Sequence, residues 1–200
     1  VSGQSIHYKA SEIHYHRFGS GSRVLLCFHG FGESGSHFAF LTKTLGADFT
    51  LYAIDMPLHG ATKWEEGLLL EPRLVWEWLP LMGIDAATPI YLLGYSMGGR
   101  IALHLLSMQP TRIAGIVLLA PDGIYVNPWY WLSTQTSLGN RLFKATMENP
   151  NWFLGFLRFA EQRGFLNKSV TKFVHHYLHD ASVRKALYQR WTTMRRFKPN

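Results

Sequence analysis

The chain has 200 residues, 47% of them apolar and 14% aromatic, which is enough to fill one large core and excludes a disordered chain. No run approaches 18 apolar residues, and the opening VSGQSIHYKASEIHYHRF lacks the basic and then apolar layout of a secretory signal, so stable membrane insertion is not expected and a cytoplasmic location is. The net charge of +7 is uneven: residues 1–140 hold 8 Lys/Arg against 10 Asp/Glu, and residues 141–200 hold 12 against 3.

In chain order, Ser5 to Lys9 and Glu12 to Phe18 read as paired antiparallel strands, and Arg23 to Phe28 as a third strand that runs into His29-Gly30-Phe31-Gly32. The only cysteine, Cys27, lies in VLLCF and reads as a small buried apolar residue, so no disulfide framework or cysteine metal site exists. A helix is expected from about Ser36 to Leu45. Thr50 to Ile54 is a strand ending in Asp55-Met56-Pro57-Leu58-His59-Gly60, and Pro72 to Met82 is helical. Ile90 to Leu93 is a short β-prone run followed by Gly94-Tyr95-Ser96-Met97-Gly98. Apolar residues at helical spacing follow from Gly99 to Leu106, and Ile113 to Leu119 is a further strand before Ala120-Pro121-Asp122-Gly123. Strands separated by helices predict an α/β fold with a mostly parallel sheet, whose ligands gather at the carboxyl ends of the strands. From Asn127 onward the pattern is helical and rich in aromatics, with breaks at Gly139, Pro150, Gly164 and near Asp180. Two regions are therefore expected, a sheet-based core over 1–126 and a helical lid over 127–200.

The chemistry is concentrated at the strand ends. Gly94-x-Ser96-x-Gly98 between a strand and a helix fits the nucleophile elbow, in which glycines allow the backbone to turn tightly around an exposed serine. A serine hydroxyl needs a base to take its proton and amide donors to hold the negative oxygen formed on attack. The Met97 amide, at the helix start, is one candidate donor. The glycine-rich His29-Gly30-Phe31-Gly32 loop supplies the other, through the Phe31 amide.

The sequence of HGFGES, DMPLHGAT, GYSMGG and APDG, each after a strand, resembles the α/β-hydrolase superfamily in its branch of small single-domain esterases and C–C hydrolases. The resemblance covers residues from about 4 to 125, and the helical stretch after 127 is similar to that family's lid. It implies Ser96 as nucleophile, Phe31 and Met97 as oxyanion-hole donors, an ester or related acyl substrate and no cofactor or metal. Leu58 stands where the family usually has glycine, and Thr62 where serine is common. A serine nucleophile disfavours halide or epoxide chemistry through an aspartyl ester. The resemblance also implies an acid and a histidine after the lid, and neither is found there, so an amino-terminal portion without the last strands is expected. Asp122 is the best internal candidate for the acid. His175 and His179, at i and i+4 on a lid helix, offer a base or a metal grip, or are ordinary surface or core histidines.

The basic last third fits an anionic substrate, an acidic partner, a membrane surface or a solvated helical face. Its interleaved aromatics come with no nucleic-acid motif, so no nucleic-acid partner is expected. The alternatives to an esterase are a C–C bond hydrolase with the same three catalytic roles, and a binding or structural module that self-associates through an open sheet edge.

Overall fold

The computed structural model describes residues 3–124, 128–165, 174 and 178–198. These fall into two units, one of residues 1–126 with 193–200 and the other of residues 127–192. The first contains six strands: β1 (Gly3–Tyr8), β2 (Ser11–Phe18), β3 (Arg23–Phe28), β4 (Phe49–Ile54), β5 (Ile90–Tyr95) and β6 (Ile113–Leu119). They form one sheet in the order β1-β2-β4-β3-β5-β6. β1, β2 and β4 pair antiparallel, and β4, β3, β5 and β6 run parallel.

This is the α/β-hydrolase fold expected from the sequence, and the burial along its central strands explains their composition. On β3, Leu26 and Phe28 enter the larger apolar core while Leu25 and Cys27 enter a second core on the opposite face. A parallel strand covered on both sides must be apolar throughout, so alternation is lost. Burial also raises the Cys27 thiol well above its ordinary range, leaving it an inert packing residue. β5 extends two residues past Leu93, because Gly94 and Tyr95 still pair with Leu118 and Leu119.

The segment read as one helix from Ser36 is a 3₁₀ helix over Gly35–Leu41 running into a single α turn, α1 (Thr42–Leu45). Its start is pinned: the Gly35 amide donates to Asp55 Oδ1 at 2.6 Å, and a Cβ on Gly35 would lie 2.3 Å from the Ala53 carbonyl oxygen. The other α-helices of this unit are α2 (Arg73–Leu81) and α3 (Met97–Met108). Residues 193–198 belong to this unit as well. Met194 and Phe197 are buried in the larger core, Leu70 N–H donates to Thr193 O, and the Lys198 carbonyl bonds the His104 ring.

The second unit contains α4 (Pro128–Gln135), α5 (Ser137–Glu148), α6 (Asn151–Gln162) and α7 (Ala181–Thr193), the last of which runs into the first unit at its final residue. Gly139 does not break a helix. Thr136 caps α5 by accepting the Gly139 amide, and a Cβ on Gly139 would sit 2.0 Å from the Leu132 carbonyl oxygen. Asp180 accepts the Ser182 and Val183 amides at the start of α7. Tyr130 and Phe143 pack on Trp191, and Tyr188 packs on Phe143. His175 and His176 lie outside the described residues, and His179 is exposed.

Candidate active site

Ser96 joins β5 to α3 with φ 50° and ψ −115°. This is the backbone of the first central residue of a type II′ turn, a place glycine normally takes, and holding another residue there costs about 1–3 kcal/mol. The surroundings over-determine it. The Ser96 amide donates to Leu119 O at 3.0 Å, and the Ser96 carbonyl accepts the amides of Gly99 at 2.9 Å and Asp122 at 2.8 Å. The elbow is thus tied at both ends to β6 and to the loop that follows it.

The glycines around Ser96 are required by close approach. A Cβ at Gly94 would lie 2.5 Å from Gly98 O and 2.6 Å from Gly99 Cα, and one at Gly98 would lie 1.9 Å from Phe28 O and 2.9 Å from His29 O. Gly99 is a third such position, absent from the motif reading, since its Cβ would meet Pro121 Cβ at 2.5 Å. The first turn of α3 therefore packs backbone to backbone on the end of β3 and on the segment after β6. The Gly99 amide in that turn is taken by the Ser96 carbonyl, and the positive end of the helix dipole lies beside Ser96.

Met97 is the first residue of α3 and is buried. Phe31 follows β3, the strand that pairs directly with β5, with Phe28 opposite Gly94. Its ring is partly exposed and stands edge-on to His59 at 5.8 Å between centroids. The loop between them is fixed by polar contacts. Gly30 N–H donates to Glu33 Oε2 at 3.0 Å, and a Cβ on Gly30 would meet the Tyr95 ring at 3.1 Å.

The loop histidines are engaged in structure. His29 is buried, its Nδ1–H donates to Gly30 O at 2.8 Å, and its Nε2 accepts the Met56 amide at 3.1 Å. Those partners use both ring nitrogens of a neutral imidazole, and burial lowers the His29 pKa below its usual value. His29 thus ties the loop after β3 to the loop after β4 and is not available as a base. The buried His59 bonds Pro57 O through Nδ1 at 2.9 Å and packs on His29 at 5.1 Å. Among the described residues, no hydrogen bond joins a histidine to the Ser96 hydroxyl.

Asp122 stands beside the elbow through its amide, while its half-exposed carboxylate faces the buried Arg100 guanidinium at 3.6 Å. Sequence reasoning missed Arg100, which looks like an exposed helix residue after the glycines but is buried in the first turn of α3. Leu58 adopts φ 65°, the left-handed region, which is the physical reason glycine suits that position. Gly60, at φ 52°, has no room for a Cβ because Asp55 Oδ2 would lie 2.1 Å from it.

Comparison with known proteins bears on the family and the fold. The profile described as "Alpha/beta hydrolase family" matches residues 24–199. The chain is 34% identical over 137 residues to a pimeloyl-[acyl-carrier protein] methyl ester esterase of Xylella fastidiosa (strain 9a5c), covering 66% of this chain and 51% of that protein. It is 30% identical over 149 residues to the dihydrolipoyllysine-residue acetyltransferase component of an acetoin cleaving system of Cupriavidus necator, covering 68% of this chain and 37% of that protein. This chain therefore spans about half or less of the length of these relatives. Among solved structures, a haloalkane dehalogenase from Agrobacterium tumefaciens superposes with a TM-score of 0.57 at 17% identity, covering 94% of this chain and 66% of that one. At that identity the likeness is one of fold. Among the described residues, no helix is long and apolar enough to cross a membrane.

Proposed function

The chain belongs to the alpha/beta hydrolase family, and from that premise we propose that it carries the nucleophile of a serine hydrolase acting on a carboxylic ester or related acyl bond. One observation carries the reading: a non-glycine residue, Ser96, is held at φ 50° and ψ −115° by a setting that excludes side chains at Gly94, Gly98 and Gly99. Strain of this kind persists where the fold is built to present that residue.

In the proposed reaction, Ser96 Oγ attacks the acyl carbon and a histidine from outside the described residues takes the hydroxyl proton. The amides of Phe31 and Met97 hold the oxyanion, and their value lies in being fixed before charge develops. The alcohol leaves with the proton, and water then releases the acid from the acyl-Ser96 ester. The methyl ester esterase named among the relatives supports an ester substrate. The excess of Lys and Arg in residues 141–200 supports an anionic group elsewhere on the substrate or its carrier.

The test is a pair of assays on an aryl ester and a β-diketone, with Ser96→Ala as control. Ester turnover lost in Ser96→Ala supports the proposal. Diketone cleavage without ester turnover makes the protein a C–C bond hydrolase, and no turnover of either substrate by folded protein favours a binding module.

A further inference from the structure

Two strands away from the elbow strand in the sheet order, three side chains with metal-ligating atoms converge at the carboxyl end of β4. His14 and His16 are two residues apart on β2, so both rings lie on one face of the sheet. β2 pairs with β4, with His16 opposite Ala53, and the Asp55 amide donates to His14 O at 2.9 Å. That register brings the Asp55 carboxylate beneath both rings. His14 Nδ1 is 2.9 Å and His16 Nε2 is 3.8 Å from Asp55 Oδ2, and the donor atoms of the three residues all lie within 4.8 Å of one another.

The carboxylate is held in place before any ligand arrives. Gly35 N–H donates to Oδ1 at 2.6 Å and Ala61 N–H to Oδ2 at 2.8 Å, while Thr62 Oγ1 donates to Asp55 O at 2.6 Å and accepts the His14 amide at 2.9 Å. The His14 ring is oriented by a glycine, since a Cβ on Gly3 would lie 2.3 Å from its Nε2. Nδ1 therefore faces Asp55. The imidazoles stand edge to face with centroids 4.7 Å apart and their side chains are 18% and 15% exposed, so solvent and an ion can reach them. Second partners that fix a ligand's orientation are what a metal site requires.

We propose that His14, His16 and Asp55 bind a divalent transition ion of the zinc class. Two imidazole nitrogens and a carboxylate oxygen suit borderline ions, which take such ligands at about 2.0–2.2 Å. Two atoms at that distance from one ion are at most about 4.3 Å apart. The His14–Asp55 and His16–Asp55 separations already satisfy this, and a small rotation of the His16 ring closes the third. On binding, the His14 Nδ1 proton now given to Asp55 moves through solvent to Nε2, so that Nδ1 is free to ligate, and water completes the coordination. The ion would clip β2 to the loop after β4.

The experiment uses tag-free protein titrated with zinc sulfate by calorimetry, with Co(II) absorption reporting coordination. One zinc per chain is expected, with a rise in melting temperature reversed by a chelator. His16→Gln is the main variant, because His16 sits at 3.8 Å and is not part of the short His14–Asp55 bond. It should weaken zinc by more than about tenfold while the metal-free protein melts as before. His14→Gln should weaken zinc similarly, judged on folded protein. No zinc uptake by folded protein overturns the proposal, as does binding that His16→Gln and His14→Gln leave unchanged.

Discussion

The strain at Ser96 predicts that Ser96→Gly stabilises the protein while removing the proposed nucleophile. Both Ser96→Gly and Ser96→Ala remove the hydroxyl, but only glycine is at ease at φ 50° and ψ −115°. Relief of that backbone is worth about 1–3 kcal/mol. Glycine gives back roughly 0.4–1 kcal/mol through the greater freedom of the unfolded chain. A net gain of about 1 kcal/mol remains, or roughly 2–4 °C in melting temperature for a chain of this size. Ser96→Ala keeps the strain and should melt close to the parent. Thermal denaturation of the three proteins side by side, followed by circular dichroism, is the assay. A melting temperature for Ser96→Gly at or below that of Ser96→Ala would refute the claim that strain is stored at the nucleophile.

Gly98→Ala should be severely destabilising, by about 3 kcal/mol or more, because its Cβ would be 1.9 Å from the Phe28 carbonyl oxygen and backbone cannot rotate away. Gly155→Ala, inside α6 with nothing within 4 Å of its Cβ, should instead stabilise by roughly 0.5–1 kcal/mol, and urea unfolding of both variants checks the contrast. Because burial lowers the folded-state pKa of His29, native protein binds fewer protons than unfolded protein below the usual imidazole range. Its contribution is complete above about pH 7 and is lost as pH falls through about 6.5 toward the folded value, with a slope of at most about 1.4 kcal/mol per pH unit. His29→Gln should remove that part of the slope in urea titrations between about pH 5.5 and pH 8, and an unchanged slope contradicts the assignment. β6 is one of the two outer strands, paired with β5 alone among the described residues, with Val117 and Leu119 exposed. We propose that a second copy pairs at this edge, so sedimentation should give a concentration-dependent dimer that Val117→Lys weakens.

Parts of the fold governed by local rules were legible in the sequence. Arg23–Phe28 and Ile113–Leu119 coincide with β3 and β6 because a continuous apolar run ending in glycine or proline leaves few alternatives. The elbow was legible because its glycines meet backbone at short range. Gly99 was not, since its obstacle, Pro121, arrives from a different strand. Tertiary packing also decided the 3₁₀ winding of Gly35–Leu41, pinned by Asp55, and the role of Gly139, which Thr136 caps. The His14–His16–Asp55 cluster depends on register between strands 41 residues apart, and no local pattern carries that. At Leu58, where the family usually has glycine, the left-handed backbone was not read from the sequence and emerges only in the structure.

The central claim is that Ser96 is an activated nucleophile. Treating the folded protein with a fluorophosphonate probe, which a reactive serine attacks with loss of fluoride, and mapping the adduct by mass spectrometry tests it most directly. The account predicts one adduct per chain, on Ser96, absent from Ser96→Ala. Folded protein that remains unlabelled, or labelled equally in Ser96→Ala, would contradict it.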